Sequence, residues 1–150
     1  MESVYAELKS QDAKSVIRIY VLGYQFPDIL DGWDADWYVV RLEVKLPSFT
    51  YQLTDPALCG RELEILYKEL QEFSALKSLS ASLDPMEPYI ELELKFDSKK
   101  SVDVSGTVLD VTENGRGELR FEFKTDLPSV DVFIKEVQTI LKLFPPRRTD

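Results

Sequence analysis

The sequence of 150 residues contains no histidine and a single cysteine, and these absences remove several classes of function. Without histidine there is no Ser-His-Asp triad, no Cys-His pair, no histidine-ligated zinc site and no imidazole for acid–base catalysis. The lone thiol, Cys59, has no partner for an internal disulfide, and we interpret it as a small buried residue at the start of a helix. Glycine is also scarce, and the chain lacks G-x-G-x-x-G, P-loop and G-x-S-x-G motifs. The sequence therefore predicts a protein that is not an enzyme and has no cofactor.

Positively charged residues are also few relative to negatively charged ones. The chain has 18 Lys and Arg against 27 Asp and Glu, a formal net charge of −9. Such a chain is poorly suited to gripping phosphates, so we expect no nucleic-acid or membrane-surface binding, whereas a basic protein partner is compatible. No apolar run approaches the roughly 18 residues that span a bilayer. The first seven residues lack the basic and apolar regions of a secretory signal, so we expect a cytoplasmic location.

Hydropathy patterns predict a single α+β domain over residues 1–150. Alternating apolar and polar residues, or runs rich in β-branched and aromatic side chains, indicate strands. These strands are at residues 4–8, 15–24, 37–46, 49–53, 79–83, 89–96, 102–111 and 118–124. The Asn-Gly sequence at residues 114–115 predicts a hairpin between the last two. We expect one antiparallel sheet of about seven or eight strands.

Two amphipathic helices complete the predicted fold. Thr-Asp-Pro at residues 54–56 is a helix-start signal, and the apolar spacing that follows extends to about Leu76. Asp-Leu-Pro at residues 126–128 begins a second helix, which Pro-Pro at residues 145–146 ends. Both apolar stripes are expected to pack on the sheet.

The order of strands followed by a helix occurs twice, in residues 1–76 and 77–150, which favours an internal duplication. An offset of 71 residues pairs the two helix starts and matches Leu63 with Ile134 and Leu70 with Leu141. Two amphipathic helices with similar starts also match partly by chance, and the preceding strands do not align well. Duplication and coincidence both stay open at this point.

The most unusual local feature is an acidic and aromatic segment with neither helical nor strand periodicity. It contains four aspartates and the two tryptophans of the chain: Asp28, Asp31, Trp33, Asp34, Asp36 and Trp37. The spacing lacks the further ligands and the closing Glu of a calcium-binding loop, so we expect no metal site. Two interpretations remain. The segment binds a basic protein partner through carboxylates and tryptophan anchors, or it is a solvated loop with Trp37 packed into the core.

Carboxylates also concentrate on the predicted sheet. Glu91 and Glu93 share one face of a strand, and Glu118 and Glu122 lie on a neighbouring strand. Outward-facing carboxylates are typical of the solvated side of a half-buried sheet, and a catalytic pair needs environments that the sequence does not reveal. We therefore interpret this face as solvated surface.

Several segments together resemble a known family. Residues 36–44 read DWYVVRLEV, residues 87–92 read EPYIEL and residues 143–147 read LFPPR, with a Leu63/Leu66/Leu70 helix between the first two. This pattern, over roughly residues 33–147, is similar to the WapI-type immunity proteins, small cytosolic bacterial antidotes to the toxic C-terminal domains of secreted toxins. The resemblance implies a non-enzymatic protein that binds and neutralises a cognate toxin domain, often a nuclease and therefore basic.

The resemblance supplies no contact residues, so we assign toxin binding from chemistry alone. The assigned residues are Asp28, Asp31, Trp33, Asp34, Asp36 and Trp37. A different class also fits a small acidic α+β protein: a secretion chaperone or adaptor that binds an extended client segment on a helix face or sheet edge. A homodimer is compatible with the sequence, but no feature of the sequence indicates one.

Overall fold

The computed structural model describes residues 3–99 and 101–147, and for residues 55–57 it describes the backbone alone. The elements in chain order are β1 Val4–Lys9, β2 Val16–Tyr24, β3 Trp37–Leu46, β4 Phe49–Cys59, α1 Gly60–Ser74, β5 Ser80–Leu83, β6 Ile90–Phe96, β7 Val102–Thr112, β8 Gly115–Thr125 and α2 Leu127–Leu143. A single 3-10 turn, Asp34–Asp36, precedes β3. The α+β class, the two helices and the antiparallel strand pairing are confirmed.

The strands of the described chain are divided between two sheets, where the sequence predicts one. The N-terminal sheet has the order β1-β2-β3-β4 and the C-terminal sheet the order β5-β6-β7-β8. All neighbours within each sheet are antiparallel. Each strand thus pairs with its neighbours along the chain, and α1 separates the two groups. Local alternation predicts the strands but carries no information on where one sheet ends.

One face of each sheet and one stripe of each helix form a shared apolar core. On α1 the buried stripe is Leu63, Leu66, Leu70 and Phe73, all predicted from spacing, and on α2 it is Val130, Phe133, Val137 and Ile140. Burying one such side chain fully stabilises the fold by roughly 1.5–3 kcal/mol.

Each helix packs beside the sheet of the other half. Helix α1 lies along β5, α2 lies along β1, and the helices contact each other. The sheets also meet directly. The Gln11 amide donates to the Lys124 carbonyl at 2.9 Å, and the Thr125 hydroxyl donates to the Lys9 carbonyl at 2.5 Å. The two halves of the chain are therefore interleaved.

The predicted start of the first helix is wrong. Residues 54–56 belong to β4, which continues to Cys59, and α1 begins at Gly60. Pairing with β3 extends the strand, because Tyr38 lies opposite Leu58 and Trp37 lies opposite Cys59. Between the pairs Tyr38/Leu58 and Val40/Asp55 the register shifts, so that residues 56 and 57 face the single residue Val39, as in a β-bulge. A bulge accommodates proline, which lacks an N–H to donate to a ladder.

Candidate functional site

The acidic loop, residues 25–36, connects β2 to β3 and carries most of the predicted site. The Gln25 amide donates to the Trp37 carbonyl at 2.8 Å, which closes the base of the loop. Beyond this point Asp28, Asp31 and Asp34 are exposed, and Trp33 exposes 51% of its surface. Four of the six predicted residues are thus accessible together on one loop.

Apolar side chains that the sequence analysis did not single out accompany these aspartates. Leu30 is 75% exposed, and Phe26 and Ile29 are each 40% exposed. A surface that interleaves carboxylates with large apolar groups offers both charge pairing and desolvated anchors to a partner. The mixture of large apolar residues and aspartates in residues 26–34 was the sequence signal for this surface, because a fully solvated loop rarely contains Phe, Ile, Leu and Trp together.

Asp36 does not share this surface. It is fully buried, and its Oδ2 accepts the Arg61 amide at 2.9 Å while its Oδ1 accepts the Arg147 amide at 2.8 Å. The Arg61 amide belongs to the first turn of α1, where backbone donors lack intrahelical partners. Asp36 therefore caps α1 from a distant part of the chain. Trp37, at the start of β3, is half-buried.

The start of α1, the end of the acidic loop and the chain's C-terminal segment converge at Gly60. A Cβ on Gly60 would lie 2.5 Å from Asp36 Oδ1 and 3.0 Å from the Cα of Pro146. Only glycine allows this approach without displacing its neighbours. The packing explains how one carboxylate reaches two backbone amides that are far apart in sequence.

Residues 144–147, the C-terminal segment, cross the base of the acidic loop. Tyr38 donates its hydroxyl to the Phe144 carbonyl, and Tyr24 donates to the Pro145 carbonyl at 2.6 Å. Burial raises the pKa of both tyrosines, and at Tyr24 the adjacent Arg147 lowers it in part, so both hydroxyls stay protonated as donors. Sequence reasoning missed these contacts because the tyrosines read only as strand residues.

Arg147 also contacts the acidic loop through its side chain. Its Nη1 donates to the carbonyls of Pro27 and Ile29, each at 3.0 Å. Its guanidinium carbon lies 3.5 Å from the centroid of the Tyr24 ring, in cation–π geometry. One side chain thus holds the backbone on both sides of Asp28.

Cys59 is the N-cap residue of α1 and is 5% exposed, as predicted for a small buried side chain at a helix start. The Glu62 carboxylate accepts the Cys59 amide at 3.0 Å. Burial raises the pKa of the thiol to about 12, so the thiolate is suppressed at neutral pH.

Three of the four glutamates noted on the predicted sheet, Glu91, Glu93 and Glu122, line an open groove of about 550 Å³ on the outer face of the C-terminal sheet. The prediction that Glu91 and Glu93 lie on a strand next to that of Glu118 and Glu122 is wrong, because β7 lies between β6 and β8. Glu93 and Glu122 therefore face each other across Ser105.

Among the described residues, no three acidic or thiol side chains are grouped to hold a metal ion. No helix in the described part of the chain is long and apolar enough to cross a membrane.

The family model described as the immunity protein WapI-like family matches residues 7–145, which includes most of the first hairpin and the segments that carry the resemblance up to residue 145. No curated protein and no solved structure matches the chain. The chain belongs to the WapI-like family of immunity proteins.

Proposed function

We propose that this protein binds a cognate toxin domain in the bacterial cytosol and neutralises it through the exposed part of the acidic loop. The observation that carries the proposal is the joint exposure of Asp28, Asp31, Trp33 and Asp34 on one connection. Asp36 and Trp37 then have supporting roles behind this exposed surface. Asp36 holds the end of the loop by accepting the Arg61 and Arg147 amides. Membership of an immunity-protein family supports a protein partner and a non-enzymatic role.

The charge of the chain indicates the character of that partner. A nuclease domain grips phosphates with Lys and Arg, and an acidic surface competes for the same groups. Complementary charge speeds the encounter, while a buried aromatic anchor slows dissociation. The net charge of −9 and the three exposed aspartates around Trp33 therefore suit a basic, nuclease-like toxin.

The test is binding of the toxin domain encoded beside the gene, measured by gel filtration and surface plasmon resonance. In the triple variant Asp28→Asn, Asp31→Asn, Asp34→Asn, we expect the association rate constant to fall about tenfold and its salt dependence to weaken. In Trp33→Ala we expect dissociation to accelerate by about 30-fold, the scale of a hot-spot residue.

The matched control removes the same charge from the C-terminal sheet. Glu91→Gln, Glu118→Gln and Glu122→Gln are exposed positions on its outer face, and this triple variant is expected to leave dissociation unchanged. If the sheet variant lost binding while the loop variants kept it, the toxin contact would lie on the C-terminal sheet instead of the acidic loop. Absence of any complex with the toxin, together with death of co-expressing cells, would refute the function itself.

The alternative function, a secretion chaperone, requires a helix face or a sheet edge for its client. The apolar stripes of both helices lie in the core, which leaves the strand edges and outward helix positions. A gene neighbourhood of secretion components, with no toxin C-terminus, would favour that alternative.

A further inference from the structure

We infer that the C-terminal segment, residues 144–147, sets the conformation of the acidic loop, with Arg147 as the positioning residue that presents the loop to the toxin. The inference rests on the proposed function and extends it to residues outside the binding surface. It assigns a role in recognition to a part of the chain more than 100 residues away from the loop.

The C-terminal segment contacts both sides of the acidic loop. The Arg147 side chain reaches the Pro27 and Ile29 carbonyls near its beginning, and the Arg147 amide reaches Asp36 at its end. The strands on either side are held as well, because Tyr24 and Tyr38 donate to carbonyls of the segment. The loop is therefore bound along its base by one short stretch of chain.

Three hydrogen bonds inside the acidic loop join residues that are close in sequence. The Ile29 amide donates to the Phe26 carbonyl at 3.1 Å, the Gly32 amide to the Asp31 carboxylate at 2.8 Å, and the Asp36 amide to the Trp33 carbonyl at 3.4 Å. Short-range bonds of this kind stabilise single turns but do not fix a loop relative to the sheet. The contacts of Arg147 supply a longer-range connection, in addition to the Arg61 amide that binds Asp36 at the end of the loop.

The chemistry of the contact is specific to arginine. A planar guanidinium can stack on the Tyr24 ring while donating in its own plane to two carbonyls. A lysine ammonium keeps the charge but cannot make the stacked and the double-donor contacts at once. Arg147→Lys therefore removes the geometry and preserves the net charge, which separates positioning from electrostatics.

Positioning matters for affinity because a mobile loop is competent to bind for only part of the time. If the held conformation falls from nearly full occupancy to about a tenth, the apparent dissociation constant rises about tenfold. The loss falls mainly on association, because the toxin itself orders the loop once it is bound.

The experiment compares wild-type protein with Arg147→Lys and Arg147→Ala, with Arg120→Lys and Arg120→Ala as controls. Arg120 is on the outer face of the C-terminal sheet, with its side chain 81% exposed. Amide hydrogen exchange of residues 26–33 is measured in the free protein, and toxin-binding kinetics are measured in parallel. We expect both Arg147 variants to exchange at least tenfold faster in the loop and to associate about tenfold more slowly, with an unchanged urea midpoint in Arg147→Lys.

Two results would overturn the inference, and they differ from failure of the proposed function. Unchanged loop exchange in both Arg147 variants would show that the Arg147 side chain does not hold the loop and is not the positioning residue. Faster exchange with unchanged toxin kinetics would show that holding the loop does not serve binding. If the wild-type protein forms no complex, the proposed function fails, and the exchange data still decide whether Arg147 holds the loop.

Discussion

Asp36→Ala is expected to destabilise the whole fold, although the residue lies in a surface loop. The side chain is fully buried and accepts two backbone amides, from Arg61 and Arg147. A hydrogen bond to a charged acceptor contributes about 1.5–3 kcal/mol, and each buried donor left without a partner costs about 1–3 kcal/mol. Partial offsets come from no longer burying a charge and from water entering the vacated space. We therefore expect the free energy of unfolding to fall by about 2–4 kcal/mol, a large share of the roughly 5–15 kcal/mol typical of a domain.

The measurement is urea unfolding followed by the fluorescence of Trp33 and Trp37, which lie on either side of Asp36 in sequence. Asp34→Ala is the matched control, because it has the same side chain in the same 3-10 turn but is exposed. The control should unfold within about 0.5 kcal/mol of wild type, as surface substitutions usually do. Equal stability of the two variants would refute the argument that Asp36 supports α1 and the C-terminal segment.

Three further predictions concern the thiol, a surface carboxylate and the division of the chain. Cys59 should resist a thiol reagent at pH 8 in the native state and react at once in urea, because its pKa is raised to about 12 by burial; rapid native reaction would contradict this. Ser101 donates its hydroxyl to Asp97 and, as the largest cause, lowers the pKa of that carboxyl below its ordinary value. The Asp97 carboxylate therefore stabilises the fold at pH values above its pKa in the unfolded chain. The difference in free energy of unfolding between wild type and Asp97→Asn, measured by urea titration, should shrink as the pH falls from 5 towards 2. A difference that stays constant with pH would refute the assignment. Fragments 1–76 and 77–150 should be unfolded alone by circular dichroism and gain structure on mixing, because each helix packs on the other half; a cooperatively folded single fragment would indicate two domains.

The strands were predictable because their pattern is local. In β3, Tyr38, Val40, Leu42 and Val44 alternate with polar or half-exposed residues, and all four are buried. The hairpin at residues 114–115 is also present, but Thr112 pairs with Gly115, so the turn consists of residues 113 and 114. A period of two identifies a strand, whereas the turn depends on which partner residues align.

The acidic loop was only partly predictable, because its six residues differ in contacts that sequence proximity does not reveal. Asp34 and Asp36 have the same side chain, two positions apart, yet one is exposed and the other fully buried. The difference comes from amides that lie 25 and 111 residues further along the chain. Composition therefore identified the loop as an unusual segment, but it could not distinguish the exposed residues from the buried residue that holds the loop in place.

The helix offset shows how one wrong boundary produced a second error. The true N-cap residues, Cys59 and Asp126, are 67 residues apart, and the buried stripe from Leu63 to Phe73 repeats at the same offset from Val130 to Ile140. The predicted offset of 71 came from taking Thr-Asp at residues 54–55 as a helix start, although these residues lie in β4. The two offsets differ by four residues, about one helical turn, so apolar residues still matched apolar residues and periodicity could not choose between them. At the wrong offset Phe73 pairs with Phe144, which ends α2 and offers its carbonyl to Tyr38. The correct register thus removes Phe144 from the helix stripe and assigns it to the segment that holds the acidic loop.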